Sequence, residues 1–273
     1  MTPEHPAVDL DHEFVSFDLE TTGLSAERER IVEIGAVRFD RTGKELGRFQ
    51  TLVNPGKPIP YEAWAVHRIS DADVAGAPSC AEVLPSFITF LGEPETTTLL
   101  AHNAVFDASF LGRELGRIGA LSPPHAVADT LHLARSRLPS LGNHRLDTLA
   151  RHFRLDLGDA HRALADCLRV KGIWLAMGGV GLMKAGMVAY SIFDHKRPAF
   201  APLGWERMVA AIDRGARVRI AYKGGSHGTE PREITPRKIE NQGGIDYLVA
   251  LCHMDAKQKR FRLDRLVCLE VIG

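Results

Sequence analysis

The sequence predicts an α/β domain, a mixed sheet flanked by helices, followed by a small, mostly β domain. Three observations predict it. Runs with period-2 apolar alternation open the chain and give way to short strands alternating with helix-period segments, the mark of helices laid on a sheet. After about residue 205 the pattern changes to short alternating runs parted by glycine-rich turns. Charge divides near the same place: residues 1–194 carry 19 Lys+Arg against 25 Asp+Glu, and residues 195–273 carry 15 against 9. Balances of −6 and +6 cancel in a chain of net charge zero and point to two units with different electrostatic roles.

The elements follow in order. In FVSFDLE (14–20), Val15, Phe17 and Leu19 alternate with Phe14, Ser16, Asp18 and Glu20, as a strand demands. IVEIGAVRFD (31–40) and LGRFQTLV (46–53) are two further strands around the turn RTGKE, so the sheet begins mostly antiparallel. Residues 77–91 have helical character interrupted by Pro85. TTTLLAHN (96–103) is a short strand, and residues 104–119 form an amphipathic helix that Asn103 would cap. HAVADT (125–130) reads as a strand, and 144–153 and 160–177 as helices. The glycine- and proline-rich stretch 178–204 is a linker or a docked segment. Beyond it come a helix (205–215) and four strand runs, RVRIAYKGG, REITPRKIE, IDYLVALCHM and KRFRLDRLVCLEV, with GGSHG and NQGG as turns.

Composition excludes several classes. The chain is 45% hydrophobic and 25% charged, and no stretch reaches the eighteen apolar residues of a membrane span. MTPEHPAVDLDHE lacks the basic start and apolar run of a secretory signal. Cys80, Cys167, Cys252 and Cys268 are scattered without CxxC spacing, which argues against a disulfide framework or thiolate metal site and leads to the expectation of a cytoplasmic protein.

Four carboxylates interrupt apolar patterns. Asp18 and Glu20, two apart on a strand, project from one face, where like charge makes each other's ionisation costly. A hard divalent cation between them removes that cost; the alternative is a solvated strand end. Asp107 shares a helical face with Phe110 and Leu111, either as a ligand or as an anion favoured near a helix start. Asp166 lies on the stripe Ala163, Asp166, Val170, where an unpaired carboxylate would take up a proton unless a cation held it. Gathered in one crevice, the four suit divalent ions acting on a phosphate, two of them about 3.5–4 Å apart in an in-line displacement. His161, five residues before Asp166, could then take a proton from water, or be an ordinary exposed histidine.

FDLETTGL, HNAVFDASFL and HRALAD, in that order, resemble the three motifs of the DEDDh exonucleases, the DnaQ-like family with an RNase H-like core, over residues 12–177. The resemblance implies 3′→5′ hydrolysis of single-stranded nucleic acid with a free 3′ end, DNA favoured, releasing nucleoside 5′-monophosphates. It implies two Mg2+ or Mn2+ ions, with Asp18 bridging them, Glu20 and Asp166 completing the tighter site, Asp107 acting partly through water, and His161 as general base. Thr21, Thr22, Gly23 and Leu24 would border the terminal nucleotide, His102 and Asn103 would shape the approach of the strand, and Phe106 would pack near it. AWAVHRIS resembles a family segment that usually ends His-Gly-Ile, with Arg68 in the glycine's place. Leu146, Leu149 and Phe153 recur at helical spacing and are assigned to packing. The rival readings are a non-catalytic nucleic-acid-binding regulator on the same fold and an RNase H-like endonuclease. No polymerase partner is assigned.

Residues 205–273 resemble a WYL domain, an SH3-like β-barrel, through RVRIAYKG, REITP, DYLVALC and RFRLDRL, with Asp246 in place of the name-giving tryptophan. Such domains are thought to sense nucleotides or nucleic-acid ends, which makes Tyr222, Arg232, Arg260, Arg262 and Arg265 the candidate contacts for a phosphate-bearing ligand. The alternative is that these arginines form a solvated or interdomain face.

Overall fold

The computed structural model describes residues 12–155, 161–179, 181, 187–192, 201–224 and 228–272. The N-terminal run, parts of the 178–204 join, most of the GGSHG turn and the start of the helix expected from 160 lie outside them. The chain divides into two compact units, Met1–His195 and Lys196–Gly273.

In the first unit, β1 (Glu13–Thr21), β2 (Ile31–Phe39) and β3 (Glu45–Leu52) form an antiparallel meander. The turn between β2 and β3 is held by the Asp40 carboxylate, which accepts from the amides of Thr42 and Lys44 at 2.8 and 3.0 Å. β4 (Thr97–Ala101) then lies parallel to β1, β5 (Ala126–Asp129) parallel to β4, and β6 (Ala189–Ser191) antiparallel to β5. The sheet order is β3-β2-β1-β4-β5-β6, the mixed sheet expected of an RNase H-like core. Helices α1 (Tyr61–His67), α2 (Asp71–Val74) and α3 (Cys80–Leu91) link β3 to β4, and α4 (Val105–Arg117) links β4 to β5. After β5 come α5 (Thr130–Arg137), α6 (Leu146–His152) and α7 (Ala163–Ala176).

β1 is the axis of this unit. One face of it packs through Phe14 on Phe39 and on Trp174 of α7, with ring centroids 5.6 Å apart in both pairs. The other face presents Phe17 to Phe87 of α3. Strand alternation therefore carries Asp18 and Glu20 out on the α7 side, in line with Phe14 and Ser16. Pairing with β4 stops at Ser16, opposite Leu100, whereas pairing with β2 runs on to Thr21. The sheet thus splays beside Asp18, at the C-terminal ends of two parallel strands, where open α/β sheets form crevices.

Two local expectations are corrected. Pro85 does not interrupt α3: it sits on the exposed face, where the one lost hydrogen bond can be met by solvent. Asn103 does not cap α4 with its side chain; it takes a left-handed conformation, φ 68°, and its backbone carbonyl accepts from the Phe106 amide at 2.9 Å. Leu149 is fully buried beneath α5 and α7, with Leu146 and Phe153 packed against the same cluster.

The second unit places α8 (Glu206–Arg214) against a five-stranded antiparallel sheet. Its strands are β7 (Arg217–Tyr222), β8 (Arg232–Gln242), β9 (Ile245–Cys252), β10 (Lys257–Arg262) and β11 (Leu266–Ile272), ordered β10-β9-β8-β7-β11. A register shift at Pro236–Lys238 lets β8 bend, and Met208, Val218, Ile220, Ile234, Leu248 and Phe261 share one core.

Candidate active site

Asp18, Glu20 and Asp166 each offer a carboxylate oxygen within 4.8 Å of the others. β1 supplies the first two and the first turn of α7 the third. Asp107 arrives from the first turn of α4, and its Oδ1 accepts the Leu19 amide at 3.1 Å. That amide lies beyond the last pairing of β1 with β4, so the carboxylate takes the place of a missing sheet partner. Three distant segments thus bring four acids to the end of β1.

What lets α7 come so close is Gly35, directly across from Asp18 on β2. A Cβ there would stand 2.4 Å from the Ala163 carbonyl carbon. Beside it Glu33, fully buried, accepts from Nε and Nη2 of Arg162 (3.1 and 2.8 Å), the Ala163 amide (3.1 Å) and Gln50 (3.0 Å). These bonds fix the start of α7 immediately after His161. That histidine is exposed, in a left-handed turn at φ 58°. Gly35→Ala should therefore displace Asp166 and lower turnover about 100-fold, since a 1 Å misplacement costs that much. Retained folding by circular dichroism and unchanged kcat would contradict this packing account.

The electrostatics are those of a buried acidic cluster only partly offset by Arg169 and Arg162. Burial, then the charges of Asp166 and Glu33, push Asp18 well above the usual carboxylate range. Burial and Asp18 push Glu20 up to about 9. Asp107 is raised by burial and by Asp18, and Asp166 by burial against the opposing pull of Arg169. Glu33 behaves differently: burial would raise it, but its hydrogen bonds from Arg162, Gln50 and Ala163 outweigh that and hold it below the ordinary value. Clustered hard oxygen donors that retain protons because burial and mutual repulsion disfavour their charge fit a divalent cation.

The residues expected around the substrate divide into framework and surface. The Thr22 hydroxyl donates to Glu29 at 2.7 Å, and that of Thr21 donates to the Gly23 carbonyl at 2.7 Å, so both shape the turn after β1. Leu24, at the end of that turn, is 90% exposed. His102 contacts the Thr130 hydroxyl at 3.1 Å and the His144 carbonyl at 2.9 Å, and burial pushes it down to about 4, so it is a neutral strut. The Asn103 amide donates to Asp129, which also caps α5. Phe106 packs on Phe110 at a tilt of 46°, ring centroids 4.8 Å apart. Arg68 ends α1 at φ 60°, ψ 20°, a conformation that suits glycine, and its guanidinium lies over Trp64, 4.8 Å from the ring centroid.

Sequence reasoning missed Glu33, Gly35, Arg162 and Arg169 as parts of the site. A glutamate amid IVEIGAV was a detectable anomaly, because an acid inside an apolar strand needs a partner. The partner is 129 residues away, and nothing local names it.

In the second unit, Arg260 lies 4.3 Å from the Tyr247 ring centroid and pairs with Glu240 at 3.0 Å. Arg262 pairs with Asp264 at 2.7 Å, and its amide donates to the Tyr222 hydroxyl at 3.4 Å. Arg232 is buried and donates to the Gly228 carbonyl at 3.1 Å, whereas Arg265 is exposed.

The RNase_T family model, described as exonuclease, matches residues 15–173, and the WYL domain model matches residues 205–271. The chain belongs to the exonuclease family, and the reading of its first unit as a 3′→5′ exonuclease domain stands on that membership. It is 43% identical over 155 residues to the DNA polymerase III subunit epsilon of Treponema pallidum, covering 56% of this chain and 70% of that one. It is 40% identical over 157 residues to the PolC-type DNA polymerase III of Halalkalibacterium halodurans, covering 58% of this chain but 11% of that polymerase. The chain therefore spans about a tenth of the PolC-type relatives it matches. In fold it is similar to E. coli exonuclease I in complex with a dT13 oligonucleotide, with a TM-score of 0.58, 16% identity, and coverage of 88% of this chain and 55% of that one. It is also similar to the cell-death related nuclease CRN-4, with a TM-score of 0.52, 15% identity and 64% of each chain covered.

Proposed function

We propose that the chain is a divalent-metal-dependent exonuclease that removes nucleoside 5′-monophosphates from the 3′ end of single-stranded nucleic acid, DNA favoured. The observation that carries the reading is the meeting of Asp18, Glu20 and Asp166 within 4.8 Å, with Asp107 hydrogen-bonded beside them. Those four acids would hold two Mg2+ or Mn2+ ions. Bound there, the ions supply Lewis-acid stabilisation of the charge that builds on the phosphate oxygens. His161, exposed at the rim, takes the proton of the attacking water, and its place on a solvent-facing turn suits a base that must meet substrate. Leu24 presents an apolar side chain to the terminal base, and Phe106 flanks it.

A 5′-labelled oligonucleotide digested with Mg2+, Mn2+ or chelator tests the reading. A ladder shortening stepwise from the 3′ end, abolished by chelator, is expected. An internal cut, or digestion that ignores chelator, would overturn it.

Because ions must displace the protons retained on Asp18 and Glu20, their affinity should rise with pH toward about 9 and their binding should release protons at neutral pH. Calorimetric titration in buffers of different ionisation enthalpy reads that release directly. Identical heats in all buffers would contradict it.

The second unit is proposed to bind phosphates of the strand through Arg260, Arg262 and Arg265. Replacing Arg260 and Arg265 with Glu should weaken single-strand binding and lower the log–log salt slope by about 0.7 for each phosphate no longer neutralised. Equal slopes would favour the solvated face already indicated by the pairs Arg260–Glu240 and Arg262–Asp264.

A further inference from the structure

Arg169 lies one helical turn after Asp166 on α7, is 2% exposed, and forms an ion pair with that carboxylate. A cation is thus lodged inside the cluster proposed to bind cations. Its Nη1 also stands 3.8 Å from Oδ1 of Asp147, on the first turn of α6, whose side chain is 36% exposed. The buried Nε of Arg169 meets no acceptor among the described residues. A guanidinium has five donors, and leaving a buried one idle is costly. Lodged between carboxylates on two helices, the guanidinium can move its pairing from one to the other.

We propose that Arg169 is a positioning residue of the divalent-ion site, an internal cation that holds Asp166 while the ions are absent and passes to Asp147 when they bind. The inference rests on the metal-site reading above. It makes Arg169 a competitor of the ions: it occupies a lone pair of Asp166 and repels incoming positive charge. Removing it also lets Asp166 hold a proton more readily. A divalent ion, however, feels the lost charge twice as strongly as a proton does, so metal binding gains on balance. Asp147 lowers the cost of the transfer by giving the displaced guanidinium a partner, as a buried cation requires.

The test is Mn2+ binding to the full chain at pH 8 by calorimetry, with the Mn2+-induced rise in Tm as a second readout. Arg169→Met should bind Mn2+ about tenfold tighter or more, one lost charge beside a ligand being worth at least about one pKa unit. Asp147→Asn should bind it several-fold weaker, and most of this loss should disappear in the Arg169→Met background, because Asp147 acts chiefly through the arginine and only in part directly on Asp166. Arg169→Lys should retain near-parental affinity. Unchanged or weaker Mn2+ binding in Arg169→Met overturns the inference, as does an Asp147→Asn effect of equal size in both backgrounds. If Arg169→Met does not fold, Asp147→Asn decides alone: unaltered affinity refutes the transfer. Failure of the parent chain to bind Mn2+ would remove the metal-site reading and this inference together.

Discussion

Asp18→Ala should abolish turnover by several orders of magnitude and at the same time raise the thermal stability of the metal-free chain. The first effect follows because Asp18 neighbours all three other acids, so its loss takes apart the donor set on which phosphoryl chemistry depends. The second follows from linkage. The folded-state pKa of Asp18 lies above its ordinary 3.8, chiefly through burial. A carboxyl group raised in this way contributes its stability fully below the unfolded pKa and loses it as pH climbs toward the folded one. The parent chain should therefore fall behind Asp18→Ala as pH rises above about 4, and saturating Mg2+ should close the gap by stabilising the parent alone. Melting curves across pH, with and without Mg2+, measure this. A variant less stable than the parent at neutral pH in chelator would show that the cluster is not under electrostatic stress.

His161→Ala should lower kcat about 10²- to 10⁴-fold, the usual worth of a positioned proton acceptor, while leaving Mn2+ affinity and strand binding near the parental values. His161 is exposed and lies outside the three-carboxylate cluster, so its removal touches neither ion ligands nor core. The left-handed turn is a separate variable. His161→Asn tests it, because Asn adopts that conformation readily yet lacks the imidazole. Equal losses in both variants, measured by single-turnover digestion, would assign the effect to the missing base. Near-parental kcat in either would reject His161 in that role.

The acids of the site were readable from sequence because each breaks a pattern. Asp107 shares a face with two buried residues, Phe110 and Leu111, and Asp166 interrupts a stripe buried at Ala163 and Val170. The sheet was legible as far as β5, since period-2 runs with short turns mark themselves. β6 was not, because three residues are too few to show a period. α5 hid behind the strand before it: Asp129 ends β5 and caps the helix at once. Gly35 and Arg169 carried no local sign of their task, and Glu33 showed only that an acid in an apolar strand needs a partner. Their meaning resides in partners brought near by the fold, and for Gly35 in the close approach that a side chain would prevent.

β4 is only five residues long, and Asn103 turns the chain into the left-handed region just beyond it. Had that strand continued alongside β1, a backbone carbonyl would have claimed the Leu19 amide and left Asp107 outside. The capacity to cut a strand therefore hangs on where another stops, and it could be erased by lengthening a ladder without altering a single acidic side chain.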